Sequence, residues 1–387
     1  MIGIYIHIPY CKSKCAYCSF YSVAELSSAA LYLDALDKEI NMRSKVHDLY
    51  SAHPFHAKSL NKTRLEKIDT IYIGGGTPSV LPKGSVMRIL NTVRECFNVL
   101  VDSEITVEAN PESCSQDFLD ECMLNGVNRI SIGLQTHDNK ILRAISRPHT
   151  YTDFSNAIKK IRQAGIVNVS TDLMMGLPGQ SKNSLFESLK RAMDFSVVRH
   201  VSLYALTVEE GTSLYRSGFI ADEDLQAEMY EDSVVLLQKA GYMRYEVSNF
   251  AQKGFESRHN QKYWNGEEYL GFGAAAHSFQ CNLPDKTYRR IENPADLLLY
   301  NSVDFSAGCE TVTRAERIKE IIMLSLRTVD GLNTEYLKRE TGWDILTEKV
   351  AEIEQLITLN MIEIKDGRIQ LQNRGFYLLS SIILKLI

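Results

Sequence analysis

Length, composition and charge describe an ordinary globular protein. The chain has 387 residues, of which 44% are hydrophobic and 24% charged, and its formal net charge of −5 does not favour nucleic acid as a partner. No apolar run reaches the length that spans a bilayer, and the first residues resemble a strand rather than a signal peptide. Eight cysteines are too few for a disulfide scaffold, so a reducing cytoplasm is the expected location. The length predicts one large domain and a smaller one.

A cysteine loop follows the first predicted strand, Ile2–Ile8. Cys11, Cys15 and Cys18 form a C-x-x-x-C-x-x-C run, and Phe20 follows in place of a fourth cysteine. Three thiolates at this spacing can hold three corners of a 4Fe–4S cluster, which leaves one iron open to a small molecule. Zinc and plain buried thiols are the alternatives, but zinc loops usually space their cysteines as C-x-x-C pairs. The spacing therefore favours the cluster.

The first two-thirds of the chain alternates β-rich runs with helical stretches. The predicted strands are Ile2–Ile8, Ile68–Ile73, Glu104–Glu108, Arg129–Ile132, Asn168–Leu173 and Val201–Ala205. The predicted helices are Ala30–Leu49, Lys83–Cys96, Ser115–Asn125, Tyr151–Gly165 and Ser181–Asp194. This alternation is typical of parallel βαβ units, and six units fit an open (β/α)6 barrel at least as well as a doubly wound sheet.

Glycine and polar residues stand where these strands end. Gly74–Pro78 follows the second strand, Glu108 and Asn110 end the third, Gln135 follows the fourth and Asp172 ends the fifth. In barrels of parallel strands the chemistry lies at the carboxyl ends, because the βα loops converge there. We therefore predict an α/β fold built on a partial (β/α)6 TIM-like barrel, with its functional site at that end.

Three parts are expected along the chain. Residues 1–245 form the barrel, and residues 246–305 are a connecting segment rich in glycine and aromatic residues. Residues 306–387 predict helices, among them Ile345–Leu359, and a hairpin that turns at Asp366–Gly367, which resembles a winged-helix module. This module carries no basic stripe, so we interpret it as a lid or partner surface. Its apolar tail is expected to pack inside the module, although a membrane contact stays open.

The motifs together resemble the radical S-adenosylmethionine (SAM) family, and within it the group around oxygen-independent coproporphyrinogen III oxidase. The resemblance rests on IYIHIPYC, GGGTPS, VEANP, RISIGLQ, GLPGQ, SLYALTVEEGT and YEVSNFA. It implies that Gly74–Ser79 and Glu108 receive the methionine amine of SAM, that Arg147 binds the methionine carboxylate, and that Gln135 and Asp172 bind the ribose. The implied SAM-binding residues are Tyr5, Tyr17, Gly75, Gly76, Thr77, Glu108, Gln135, Arg147 and Asp172.

Three features favour the haem-chaperone branch of this group. The oxidase carries a further cysteine where this chain has Phe20, and it has a long segment before the first strand, which here begins at Ile2. HNQKYW resembles the haem-binding motif of the chaperone branch. Histidine is a good axial ligand to haem iron and aromatic rings stack on porphyrins, although core packing explains the same residues on composition alone. The implied haem-binding residues are His259, Asn260, Tyr263 and Trp264, with His277 as a second candidate ligand.

The expected function is therefore a haem chaperone that binds a 4Fe–4S cluster, SAM and haem and delivers haem to respiratory proteins. A homodimer and a peripheral membrane contact are further possible associations. Two enzymatic alternatives stay open: radical oxidation of coproporphyrinogen III, and radical chemistry on haem itself. One false lead is Gly271–Ala276, which matches the loose dinucleotide fingerprint G-x-G-x-x-A, but no strand clearly precedes it and no ribose-binding acid is clearly placed after it.

Overall fold

The described residues are organised by one large sheet and a small separate one. The computed structural model describes residues 1–45, 67–282, 287–302 and 308–387, so the predicted helix end at Leu49 lies outside them. The strands are β1 (Ile2–Ile8), β2 (Lys67–Gly75), β3 (Asn98–Ala109), β4 (Arg129–Gln135), β5 (Val169–Met175), β6 (Val198–Ala205), β7 (Met243–Arg244), β8 (Asn249–Ala251), β9 (Tyr269–Phe272), β10 (His277–Asn282), β11 (Thr287–Glu292), β12 (Gly308–Val312), β13 (Leu332–Asn333), β14 (Ile362–Lys365) and β15 (Arg368–Leu371).

The helices lie in the connections between these strands and in the last part of the chain. They are α1 (Ala29–Arg43), α2 (Ser85–Cys96), α3 (Gln116–Leu124), α4 (Asn139–Ala144), α5 (Tyr151–Gln163), α6 (Lys182–Met193), α7 (Ser213–Arg216), α8 (Glu223–Lys239), α9 (Arg258–Asn265), α10 (Leu297–Asn301), α11 (Arg314–Ser325), α12 (Thr334–Thr341), α13 (Ile345–Glu348), α14 (Val350–Thr358), α15 (Asn373–Tyr377) and α16 (Leu379–Leu386). None of the helices in the described residues is long and apolar enough to cross a membrane.

Strands β1 to β6 lie side by side in chain order and are all parallel, which confirms the predicted barrel. Side chains alternate along each strand. On β1, Ile4, Ile6 and Ile8 are fully buried in the main hydrophobic cluster. Tyr5 lies on the other face, where its ring contacts Tyr72 of β2. The isoleucine face therefore builds the core, and the other face lines a polar barrel interior.

The sheet continues beyond the six predicted strands at both edges. Beside β1 lie β9, which is parallel to it, and then the antiparallel strands β10, β11 and β12. Beside β6 lie β8 and β7, and β8 is antiparallel to β6. These strands have two to six residues and were not predicted, because the segment is rich in glycine and lacks a long alternating pattern.

A buried carboxylate holds the β9 edge against α1. Glu39 is fully buried and accepts hydrogen bonds from Arg43 Nη1 (2.7 Å), Asn293 Nδ2 (2.7 Å), Tyr300 OH (2.7 Å) and the backbone N–H of Gly273 (2.9 Å).

Contrary to our expectation, the dinucleotide-like stretch Gly271–Ala276 is preceded by a strand, β9. The strand β10 follows it rather than a helix, so no helix N-terminus is available for a pyrophosphate. The stretch is a tight turn between strands.

The last part of the chain has its own core and its own three-stranded sheet, in the order β13-β15-β14. Asp366 and Gly367 both have positive φ, at 49° and 72°, as a two-residue hairpin turn requires. The predicted helix Ile345–Leu359 is wrong in one respect: it breaks at Lys349, whose φ of −128° ends α13 and precedes α14. The apolar tail is α16, and the residues that it buries in this core are Leu379, Ile382, Ile383 and Leu386.

Candidate functional site

The cysteine loop is fixed at the carboxyl end of the barrel by backbone hydrogen bonds. The N–H of Cys11 donates to the carbonyl of Val23 at 2.9 Å, which closes the loop on itself. The N–H of Ala16 donates to Ile145 after α4 at 3.0 Å, and the carbonyl of Ala16 accepts from Leu214 of α7 at 2.8 Å. The backbone of the loop is therefore held at several points by the surrounding elements.

The three thiols of this loop are free and partly buried. Arg147 Nη1 donates to Cys15 Sγ at 3.4 Å and the Thr77 hydroxyl donates to Cys11 Sγ at 3.5 Å. Burial raises the pKa of Cys18. Within the described ranges, no three His, Cys, Asp or Glu side chains form a group that could hold a metal ion. A cubane is bound through three separate irons rather than one, and sulfur donors with a nearby guanidinium match that chemistry.

The triple glycine ends β2 directly beside this loop. A Cβ on Gly74 would lie 2.7 Å from Glu108 Cδ, one on Gly75 would lie 2.4 Å from His7 Nδ1, and one on Gly76 would lie 2.6 Å from the Tyr10 carbonyl oxygen. Gly75 also has a φ of +106°, which disfavours any other residue. The glycines thus allow the backbone to lie against β1 and the cysteine loop without side chains in between.

Glu108 lies beside these glycines at the end of β3. Its Oε1 accepts a hydrogen bond from Tyr72 OH at 2.7 Å and its Oε2 accepts one from the backbone N–H of Gly75 at 3.1 Å. Burial raises the pKa of Glu108 to about 7, against the opposing effect of the Tyr72 hydrogen bond. An ammonium ligand would stabilise a carboxylate in this environment, because its charge would compensate for the hydration that burial removes.

The two predicted ribose-binding residues lie on neighbouring strands. Gln135 has a φ of +64°, an unusual value for a residue with a side chain, and its Nε2 would lie 2.8 Å from a Cβ built on Gly133. Asp172 faces Ser131, whose hydroxyl is 3.4 Å from Oδ1. Burial raises the pKa of Asp172. Ser202 and Ser131 oppose this rise by hydrogen bonding, and the contacts with Ser131 are long, so further hydroxyl donors would improve the environment of the carboxylate.

Arg147 and Arg129 supply positive charge to the interior. Arg147 is buried, and its Nε has no hydrogen-bond partner. A buried N–H without an acceptor fits an incoming carboxylate. Arg129 is 1% exposed, and its charge opposes the rise in pKa that burial causes in Glu108 and Asp172. The sequence reasoning missed Arg129, although its position in RISIGLQ gives it the same strand face as Ser131.

The predicted SAM-binding residues thus surround the same end of the barrel as the cysteines. Tyr17 lies in the loop between Ala16 and Cys18, where burial raises its pKa. Tyr5 OH is 3.0 Å from His7 Nδ1, and His7 Nε2 is 3.2 Å from the Tyr21 carbonyl oxygen. The unpartnered Arg147 Nε, the side-chain-free backbone of the glycines and the Glu108 carboxylate together fit an amino-acid-bearing cofactor.

The HNQKYW motif forms α9, which lies against the barrel strands β2 and β3. Glu104 of β3 accepts the backbone N–H of Arg258 at 3.1 Å and of His259 at 3.0 Å, which satisfies the first turn of the helix. His259 is 1% exposed; its Nδ1 lies 2.9 Å from Thr70 Oγ1 and its Nε2 lies 2.9 Å from Tyr263 OH.

This arrangement does not fit haem ligation by His259, because both ring nitrogens already have partners and the ring is buried. Tyr263 packs edge-on against His259 and against Tyr269, and Trp264 Nε1 is buried without a partner. His277, the other candidate, has a 56% exposed side chain, with Nε2 3.9 Å from Glu292 Oε1.

Comparisons with known proteins report matching family models for the sequence and a similar solved structure for the fold. The model of the Radical SAM superfamily matches residues 5–192, and the model of the HemN C-terminal domain matches residues 312–378. The chain is similar in fold to coproporphyrinogen III oxidase (HemN) from Escherichia coli, with a TM-score of 0.80 and 21% identity, over 100% of this chain and 89% of that one.

Curated relatives resemble the chain over almost its whole length. The haem chaperone HemW of Lactococcus lactis is 32% identical over 97% of this chain and 94% of that protein, and HemW of Bacillus subtilis is 31% identical over 97% and 96%. Radical S-adenosyl methionine domain-containing protein 1, mitochondrial, of Mus musculus is 31% identical over 100% and 87%. The chain therefore belongs to the HemW haem chaperone family of the radical SAM superfamily, with a HemN-type C-terminal domain.

Proposed function

We propose that this protein holds a 4Fe–4S cluster on Cys11, Cys15 and Cys18, binds SAM beside it, and carries haem to haem-accepting respiratory proteins. The observation that supports the proposal most is the meeting of three free thiols, a glycine-lined backbone and Glu108 at one barrel end. The relatives named as haem chaperones support haem as the cargo.

The roles proposed for the SAM-binding residues follow from their surroundings. When bound, the cluster would supply an open iron for SAM and a source of electrons. Glu108 and the glycine backbone receive the methionine ammonium, while Arg147 Nε donates to the methionine carboxylate. Gln135 and Asp172 receive the ribose hydroxyls. Tyr5, Tyr17, Gly75, Gly76 and Thr77 complete the wall around the ligand.

For haem, we propose His277 as the more accessible axial ligand of the two candidates. Its side chain is largely exposed, whereas His259 would have to release Thr70 and Tyr263 before it could bind iron. The assignment of His259, Asn260, Tyr263 and Trp264 to haem remains a prediction from the motif. Their packed positions support a second role for the motif, which is to close the barrel interior.

A haem titration under anaerobic conditions tests the cargo and the ligand together. The Soret band of the wild-type chain should saturate with haem, and His277→Ala should weaken binding at least tenfold. His259→Ala is the comparison: a larger loss of haem in that variant, with thermal unfolding unchanged from wild type, would assign the axial role to the motif histidine. A wild-type chain that binds no haem would refute the proposal that haem is its cargo.

Incubation with coproporphyrinogen III, SAM and reductant without oxygen tests the oxidase alternative. The expected outcome is no vinyl product, because Phe20 stands where the oxidase family carries a further cysteine and its ring is 69% exposed. Vinyl product at a useful rate would overturn the chaperone proposal.

A further inference from the structure

The cysteine loop is connected to the barrel by a side chain to which no role has been given so far, that of Asn110. Asn110 follows β3 directly and lies between Thr77 and Arg147. Its Oδ1 accepts a hydrogen bond from Arg147 Nη2 at 2.9 Å, and its Nδ2 donates to Thr77 Oγ1 at 3.0 Å. Thr77 and Arg147 in turn each contact a different cysteine sulfur.

The direction of these hydrogen bonds is fixed by chemistry. A guanidinium only donates, so the amide oxygen of Asn110 must face Arg147 and the amide nitrogen must face Thr77. The Thr77 oxygen then accepts from Asn110, and its own proton remains for Cys11 Sγ. A single amide thereby orients one donor on Cys11 and another on Cys15.

The Asn110 backbone is itself held in place. Its N–H donates to Ser79 Oγ at 3.2 Å, and its carbonyl accepts from the N–H groups of Ser113 and Cys114 at 3.1 and 3.0 Å. Thr77 is 2% exposed, and Arg147 is also fixed by the Gly133 carbonyl at 3.2 Å. The fold therefore holds each member of the chain of contacts from Cys11 to Cys15 in place.

We infer that Asn110 is a positioning residue that tunes the cluster, by directing the Thr77 hydroxyl onto Cys11 and the Arg147 guanidinium onto Cys15. The inference rests on the proposed function, since it requires the cluster on these cysteines. Hydrogen bonds to ligating sulfurs stabilise the more electron-rich, reduced cluster and raise its reduction potential. Loss of the Asn110 amide should therefore make the cluster harder to reduce.

The test compares Asn110→Ala and Asn110→Asp with wild type in an anaerobic redox titration of the reconstituted cluster, without SAM or haem. Asn110→Asp keeps an acceptor for Arg147 but removes the donor to Thr77, whose proton would then turn toward the new carboxylate. In Asn110→Ala we expect the ratio of reduced to oxidised cluster at fixed potential to fall about tenfold, a shift of about 59 mV for one electron. The shift in Asn110→Asp should have the same direction.

The control is Asn128→Ala. Asn128 also uses both amide atoms, accepting from the Ile105 N–H at 2.9 Å and donating to the Ser103 carbonyl at 2.8 Å, but it lies directly before the first residue of β4, away from the carboxyl ends of the strands. The Asn128→Ala variant should leave the reduction potential of the cluster unchanged. Loaded Asn110 variants with the wild-type potential would overturn the inference.

If neither Asn110 variant retains a cluster while both unfold like wild type, the amide is required to hold the thiols, which supports its positioning role. A wild-type chain that takes up no cluster would instead refute the proposed function itself.

Discussion

The Tyr72 hydroxyl donates a 2.7 Å hydrogen bond to Glu108 Oε1, and the ring of the same tyrosine lies 5.3 Å from that of His259. Tyr72 therefore connects the carboxylate expected to meet SAM with the helix that carries the HNQKYW motif. A substitution at Glu108 should therefore alter the surroundings of His259, and the reverse, because both residues are buried against the same Tyr72 side chain.

SAM affinity should depend on the ionisation of Glu108. Because burial raises the pKa of Glu108 to about 7, its carboxylate is mostly protonated at pH 6 and mostly charged at pH 8. Only the charged form pairs with an ammonium, so SAM should bind several-fold more tightly at pH 7.5 than at pH 6, a range in which its amine stays mostly protonated. Equilibrium dialysis of the cluster-loaded protein measures this. In Glu108→Gln the pH dependence should vanish, and a dependence retained in that variant would contradict the assignment.

The same substitution should stabilise the fold at high pH. The folded pKa of Glu108 is raised from 4.5 to about 7, so the stability that its neutral form contributes is present below pH 4.5 and is lost as the pH rises through 7. Glu108→Gln stays neutral and should raise the free energy of unfolding at pH 8 by about 1–2 kcal/mol. Urea unfolding at pH 8 and pH 4.5 checks the sign. An equal effect at both pH values would refute the linkage.

Among the cysteines, only those of the loop should be needed for cluster binding. Cys15→Ala removes one of three proposed ligands and should reduce the iron content of anaerobically reconstituted protein to near zero. Cys309→Ala is the matched control, because Cys309 is exposed on β12 at the far edge of the sheet. Unchanged iron in Cys15→Ala, or an equal loss in Cys309→Ala, would contradict the assignment.

Gly75 should tolerate no side chain. Gly75→Ala combines a φ of +106° with a Cβ only 2.4 Å from His7 Nδ1, so we expect a loss of about 2–4 kcal/mol in unfolding free energy. Gly179→Ala has a similar φ of +75° but nothing within 4 Å, and it should cost only about 1 kcal/mol. Chemical denaturation of both variants measures the difference. Equal losses would show that backbone strain, rather than the contact with His7, decides the outcome.

Acid should destabilise the fold through His259. Burial lowers its pKa to about 3, so the stability that neutral His259 contributes is present above pH 6.5 and is lost as the pH falls. Between pH 7 and pH 5 this residue should account for about 2 kcal/mol of lost unfolding free energy. His259→Gln should remove that part of the pH dependence, whereas other buried histidines keep the remainder, among them His149 and His200, whose pKa values burial also lowers. The control is His277→Gln, a substitution of an exposed histidine. An identical pH profile in His259→Gln and wild type would refute the linkage.

The sequence predicted the barrel because its strands are long, apolar and separated by helices. It failed at the edges: β8 and β9 have three and four residues and pair with β6 and β1, which are distant in sequence, so no local pattern reveals them. The helix break at Lys349 was missed for a related reason, since α13 and α14 are individually short and only the tertiary fold separates them.

At the site, sequence reasoning placed residues by the ends of strands, which is why Glu108 and Asp172 could be found. It could not determine which way a side chain faces. His259 was expected to bind haem, but the fold buries it between Thr70 and Tyr263. Asn110 was noticed only as the end of a strand, because its contacts with Thr77 and Arg147 join three separate loops.

The added strands at both margins of the large sheet have a practical consequence. A truncated protein that ends after residue 245 would lack β8 and β9, so the outer edges of β6 and β1 would lose their hydrogen-bond partners, while β5 and β2 would still pair with the inner edges. Unpaired strand margins recruit other chains. Such a fragment should aggregate on expression, and the barrel segment therefore cannot serve as an autonomous building block.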